Sequence, residues 1–229
     1  PQLGTSLLSI DVVEANTFNV LATLDNLRSP SVGELRQILE INELNVAGDG
    51  ETLDLSYART SGSDALQGSF EIFLNPRGGT LAFSTGVTVA EVIEEPFEQL
   101  NVKSESTFIE LTYRQPIIQR LNEELALGLT ASRQRSRGFL DISDEFGGEI
   151  PLSIGGADED GVTQIIALRF FQEWLRRSTQ DIFAVRSQFS LGLDALDSTV
   201  NEDGRPDSRF FSWRGQAQWL RLLGEDTIM

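Results

Sequence analysis

From Val162 to Arg221 the chain alternates, residue by residue, between two unlike surfaces. Phe183, Val185, Phe189, Leu191 and Leu193 fall on one side; Arg186, Gln188, Ser190 and Asp194 fall on the other. Further on, Phe211, Trp213, Gly215, Ala217 and Trp219 oppose Ser212, Arg214, Gln216 and Gln218. Before it, Ile166, Leu168, Phe170 and Trp174 oppose Arg169 and Glu173. Strand side chains project alternately to opposite faces, so each run predicts a strand with one greasy and one wet face. The runs are roughly 12–16 residues long, where ordinary globular strands have a mode of about 5–6.

Two architectures accommodate such strands. One is a layer of a soluble β-sandwich. The other is the wall of a membrane β-barrel, in which a tilted crossing takes about 9–11 residues. The rest of the chain tips the balance to the barrel. Alternating runs recur over 17–28, 34–44, 52–59, 67–74, 80–89, 106–114 and 124–135, giving ten long strands in all. All seven prolines fall outside these predicted strand interiors, as a hydrogen-bonded ladder requires. Connections at 45–50, 75–79, 115–123, 176–181 and 222–226 are mostly short. Those at 60–66, 90–105, 136–161 and 195–207 are mostly longer and more acidic. Short turns on one rim and long loops on the other are an outer-membrane pattern. The fold class expected is therefore all-β: an antiparallel, up-and-down transmembrane barrel, incomplete in this chain.

Composition narrows the function. A net charge of −17 argues against nucleic acid as a partner. The absence of His and Cys removes Ser-His-Asp and Cys-His catalysis and most zinc sites. We find no catalytic constellation, and the expectation is a non-enzyme without cofactor, metal or small-molecule substrate. The acidic clusters Asp158-Glu159-Asp160 and Glu202-Asp203 lack the ligand spacing of a calcium loop and read as solvated loop.

On the polar side, Arg36, Glu40, Glu110, Arg114, Arg169, Glu173, Arg186, Gln188, Arg214, Gln216 and Gln218 are the candidates to line a lumen. They either offer transient hydrogen bonds to a passing chain or pair with one another, and the need of buried charge for partners favours pairing. On the greasy side, Tyr57, Tyr113, Trp174, Trp213 and Trp219 are candidates for interfacial aromatic girdles, with ordinary core packing as the alternative.

Several stretches carry a resemblance. The run TFNVLATLDNLRSPSVGELRQILEINELNVAGDGETLDLSYART resembles the start of the barrel in two-partner secretion transporters, the haemolysin-activator family of the ShlB/FhaC/HecB type. FEIFLNPRGGTLAFS, FIELTYRQPIIQ, LALGLTASRQ, ALRFFQEWLRRS, FAVRSQFSLGLDAL and FFSWRGQAQWLRLL match in order, and look most like the cyanobacterial branch. The resemblance implies periplasmic POTRA domains followed by a sixteen-stranded barrel in the bacterial outer membrane. Residues 1–15, with a strand over Leu3 to Glu14, would close the last POTRA domain. Residues 16–229 would supply the first ten strands, an eleventh beginning at Asp226. We expect the chain to be cut at both ends. The implied function is nucleotide-independent export of a large unfolded partner protein, with outer-membrane lipid as the surroundings. The family's Val-Arg-Gly-Tyr tetrad does not occur in the chain. Two other functions stay open: a related barrel acting as a BamA-like insertase or passive porin, and a soluble secreted β-sandwich that binds a ligand.

Overall fold

The computed structural model describes residues 11, 15–142, 148–153, 155–201 and 204–223. The strands are β1 (Phe18–Asp25), β2 (Arg36–Glu43), β3 (Thr52–Arg59), β4 (Ser63–Phe73), β5 (Thr80–Glu91), β6 (Val102–Arg120), β7 (Glu123–Asp141), β8 (Glu149–Pro151), β9 (Val162–Arg177), β10 (Asp181–Leu193) and β11 (Phe211–Arg221). They form one antiparallel sheet in sequence order from β1 to β11, with only β8 off the path, paired to the end of β7. Such meandering order is the up-and-down pattern, and β1 and β11 are its edges. Among the described residues no second sheet packs against the first, which removes the sandwich.

The register carries the alternation from strand to strand. Leu53, Phe70, Phe83, Leu111, Ala131, Leu168, Leu191 and Phe211 pair in series from β3 to β11. A shift of one residue would move every side chain to the other face, so this row fixes an apolar face as a whole. That face is uncovered: Phe83, Leu111, Leu191, Phe211, Trp213 and Trp219 are all exposed. The chain presents 16298 Å² of surface, where a folded soluble monomer of 25.3 kDa has about 10,000 Å². Buried hydrophobic residues are few and small in total, with Phe139, Ile166 and Phe171 the largest. The burial order of a soluble domain is turned inside out, as lipid solvation of one face requires.

The structure corrects several expected boundaries. β6 does not stop at Arg114 but runs on to Arg120, through Pro116. Proline is tolerated there because the register shifts between Pro116 and Ile118, a bulge, and because β5 has already ended opposite Arg114. The turn expected at 115–123 shrinks to 121–122, and the loop expected at 60–66 to 60–62. The latter removes one member of the expected set of longer loops, since Ser63–Leu66 already pair with β5. β7 extends to Asp141, and β8 makes an eleventh strand inside what the sequence suggested was loop. The strand expected at 3–14 lies almost wholly, and the one expected from Asp226 entirely, outside the described residues.

Candidate functional site on the polar face of the sheet

All eleven polar candidates lie on the face opposite the apolar rows, as the register shows. Arg114 pairs in position with Gly128, Gly128 with Phe171, Phe171 with Gln188, and Gln188 with Arg214. One step along, Ala126 pairs with Glu173, Glu173 with Arg186, and Arg186 with Gln216.

Five of the candidates, Arg114, Glu173, Arg186, Gln216 and Gln218, surround one hollow of about 700 Å³. Glu124, which sequence reasoning missed, completes its charge. Arg114 donates through Nε to Glu173 Oε2 at 3.1 Å and through Nη2 to Glu124 Oε1. Arg186 Nη1 lies 3.0 Å from Glu173 Oε1. Glu124, Arg114, Glu173 and Arg186 thus form one continuous chain of alternating sign over four strands. Glu173 accepts a hydrogen bond from Arg114 on one carboxylate oxygen and ion-pairs with Arg186 through the other, which fixes its orientation.

Arg114, opposite Gly128, reaches Glu173, opposite Ala126, across the intervening strand β7. A Cβ at Gly128 would stand 2.0 Å from Phe171 Cζ, so only glycine leaves room for the ring that lies over it. The Arg186 guanidinium sits 5.0 Å from the centre of that ring, within cation–π range. Gly86 and Phe108 repeat the device between β5 and β6, a Cβ at Gly86 falling 2.5 Å from the ring.

Four residues along both strands, Arg169 Nη1 bonds Glu110 Oε1 at 3.3 Å and Ser132 Oγ at 2.6 Å. This pair also crosses β7, with its charges exchanged between β6 and β9. Gln188 accepts from Arg186 Nη2 at 3.4 Å and donates to Ser190 Oγ. Arg36 stands apart, paired with Asp25 at 2.8 Å. Glu40 and Arg214 are placed on the same face without a side-chain partner among the described residues. A network centred on the Asp54 carboxylate on β2 to β4, Asn42 to Asp54 at 2.6 Å and Ser69 to Asp54 at 3.1 Å, was also missed. Strict alternation along 52–59 would have found Asp54.

The five aromatic candidates all lie on the apolar face. Trp174 and Trp219 are near the short turn at 178–180, where Trp219 Nε1 donates to Asp181 at 3.2 Å and Trp174 Nε1 to Glu123 at 3.2 Å. Tyr57 lies near the opposite rim and donates to Asp64. Tyr113 and Trp213 share a register row with Leu129, Phe170 and Phe189. In the loops, Asp158 spends its carboxylate on the backbone amides of Asp160 and Val162, at 3.0 and 2.8 Å, as a turn cap. Glu202-Asp203 lies outside the described residues. Among the described residues no group of three or more His, Cys, Asp or Glu side chains is placed to hold a metal.

No protein-family model matches the chain, and no curated protein sequence matches it significantly. Solved structures do. CdiB from Escherichia coli superposes with a TM-score of 0.73 over 93% of this chain at 12% identity. BamA from Haemophilus ducreyi lacking POTRA domains 1–3 aligns over 81% of the chain at 17% identity, with a TM-score of 0.49. The chain spans 39% of the CdiB chain and 35% of the BamA chain. By its fold, then, the chain is a stretch of antiparallel up-and-down β-barrel wall, the architecture it shares with CdiB.

Proposed function

We propose that this chain is part of the barrel wall of a bacterial outer-membrane transporter that exports a large unfolded partner protein, the two-partner secretion reaction. The observation that carries the reading is the division of one unbroken sheet into an exposed apolar face and a salt-bridged polar face. The likeness to CdiB, a two-partner secretion outer-membrane transporter, supports it, as does the sequence resemblance to that family. Residues 1–15 would close a POTRA domain and 16–229 would form the first part of the barrel.

In this reading the apolar face meets lipid, with Trp174 and Trp219 at one margin, Tyr57 at the other, and Tyr113 and Trp213 in the row of Leu129 between them. The polar face lines the lumen. Arg36, Glu40, Glu110, Arg114, Arg169, Glu173, Arg186, Gln188, Arg214, Gln216 and Gln218 present hydrogen-bonding groups to an extended chain. Most of the charges there are already neutralised in pairs. A passing polypeptide therefore meets alternating donors and acceptors rather than a trap of one sign, which suits transit over tight binding. No nucleotide is called for.

The test is secretion. The gene is deleted, and the large exoprotein encoded beside it is followed in medium and periplasm. Loss of the exoprotein from the medium, restored by the intact gene, supports transport. Unchanged secretion, combined with a general fall in outer-membrane barrels, would replace it with an insertase role.

A further inference from the structure

Three arginines, Arg133, Arg135 and Arg137, stand on the apolar face. They alternate along β7 in the same phase as Leu125, Leu127, Leu129 and Ala131. Leu125 to Arg133 covers about 9 residues, near the roughly 9–11 of a tilted crossing. The arginines begin where the hydrocarbon-facing part of β7 ends, on the side of the long loops. Their row neighbours mark the same boundary: Arg133 pairs with Ile109 and Ile166, whereas Arg135 pairs with Thr107 and Gln164.

The three are not equivalent. Arg137 is satisfied by Glu149 at 2.8 Å and by the Phe139 ring at 4.8 Å. Arg133 donates to the neutral amide of Gln164 at 2.9 Å. Arg135 is exposed and has no carboxylate within ion-pairing distance among the described residues. Two guanidinium charges are thus left without a carboxylate within ion-pairing distance at the margin of the apolar face, with Glu105 one register row beyond them, in a chain of net charge −17. Beside them the sheet is hollowed. Gly68 and Thr85 interrupt the row of large side chains, and a groove of about 570 Å³ opens there. Leu55, Leu66, Val87 and Ile109 wall it, and Arg133 and Arg135 close one end.

We infer that this groove holds a membrane lipid with a phosphorylated headgroup, its phosphate on Arg133 and Arg135 and an acyl chain against Leu55, Leu66, Val87 and Ile109. The inference rests on the barrel reading above. Charge complementarity selects the occupant: bidentate guanidinium donors at the loop end of the apolar face fit a phosphate, and the apolar walls beside them in the same two register rows fit hydrocarbon.

The full-length protein is incorporated into nanodiscs containing either lipid A or lipid A from which both phosphates have been removed. Retained lipid is then counted by native mass spectrometry. The wild type should keep phosphorylated lipid A and lose the dephosphorylated form. Arg133→Gln/Arg135→Gln should retain phosphorylated lipid A about tenfold less or lower, and Arg133→Lys/Arg135→Lys should recover part of it. Excess inorganic phosphate should not displace the lipid, since it lacks the acyl chain. Equal retention of both lipids by the wild type overturns the inference even if the glutamine variant fails to fold. Equal retention of lipid A by wild type and glutamine variant overturns it as well, as does displacement by inorganic phosphate. Failure of the wild type to enter nanodiscs at all sinks the barrel reading instead.

Discussion

Arg114 and Glu173 are joined at 3.1 Å although a whole strand runs between theirs, Arg114 standing opposite Gly128 of that strand and Glu173 opposite Ala126. Three requirements meet at this point. The guanidinium needs a partner, the carboxylate needs two donors, and the Phe171 ring needs a flat floor. Glycine at 128 satisfies the last.

Filling that floor should be costly. Gly128→Val forces Phe171 aside, and overpacking of this kind typically costs about 1–3 kcal/mol. The urea midpoint of the detergent-folded protein should fall accordingly. Phe171→Ala should restore part of the loss in the Gly128→Val background, because the two positions are in contact and their effects do not add. Additive losses would contradict the packing described.

The ion-pair chain should show coupling as well. Arg114→Ala leaves Glu124 without a partner and Glu173 with only Arg186, and removal of a charged hydrogen-bond partner costs about 1.5–3 kcal/mol. Glu173 and Arg114 are each about a third exposed, so the lower end of that range is expected. A double-mutant cycle with Glu173→Gln, read in urea, should return a non-zero interaction term. In planar bilayers the same variants should alter single-channel conductance, whereas Asp158→Asn, in a loop, should not.

The assignment of faces predicts opposite outcomes for neighbours. Leu129→Arg places a charge among Tyr113 and Phe170, and arginine on the lipid face of a barrel costs about 2–4 kcal/mol near mid-depth. Thr130→Glu, one residue on, gives up the hydroxyl bond to Thr112 but enters the polar face beside the Arg169 guanidinium and should cost less. Heat-modifiable mobility on gels, which reports barrel folding, separates the two. Equal effects would refute the division of faces.

The long loop between β10 and β11 should respond to acid. Bonds from the Arg209 side chain, then from its backbone amide, hold the Asp207 carboxyl below its ordinary range. A lowered folded-state value means that the charged form is favoured in the folded loop. The stabilisation is then present above the ordinary carboxylate range and is lost as pH falls through and below it. Amide exchange in 199–209, corrected for intrinsic rates, should accelerate as pH drops from 5 to about 3. Asp207→Asn should be fast at both ends and flat between them.

How far the sequence reaches is clearest at β9 and β10. Period-two alternation alone put Arg169, Glu173, Arg186 and Gln188 on one face, and the register agrees. What alternation cannot supply is the partner. Arg169 meets Glu110, and Glu173 meets Arg114, across 59 positions of chain and one intervening strand, a relation set by the stacking of registers. The end of β6 was hidden for a different reason. Pro116 signals a turn locally, but a bulge and the end of β5 let the strand absorb it. β8 was hidden because three residues are too few to show a period. Arg133 and Arg135 are legible by the same period, since they share the phase of Leu129.

The unequal strands have a consequence for the shape of the rim. β1 ends at Asp25, one residue past its last apolar position, Leu24. β7 continues from Arg133 to Asp141, and at about 3.4 Å per residue that is roughly 27 Å of further sheet, widened by β8. The wall is therefore a ramp, low at β1 and high at β6 to β8. In the proposed transporter, a polypeptide leaving a lumen closed by such a wall would emerge with open water on one side and a standing β-surface on the other. The direction of its exit would be biased before any loop moves.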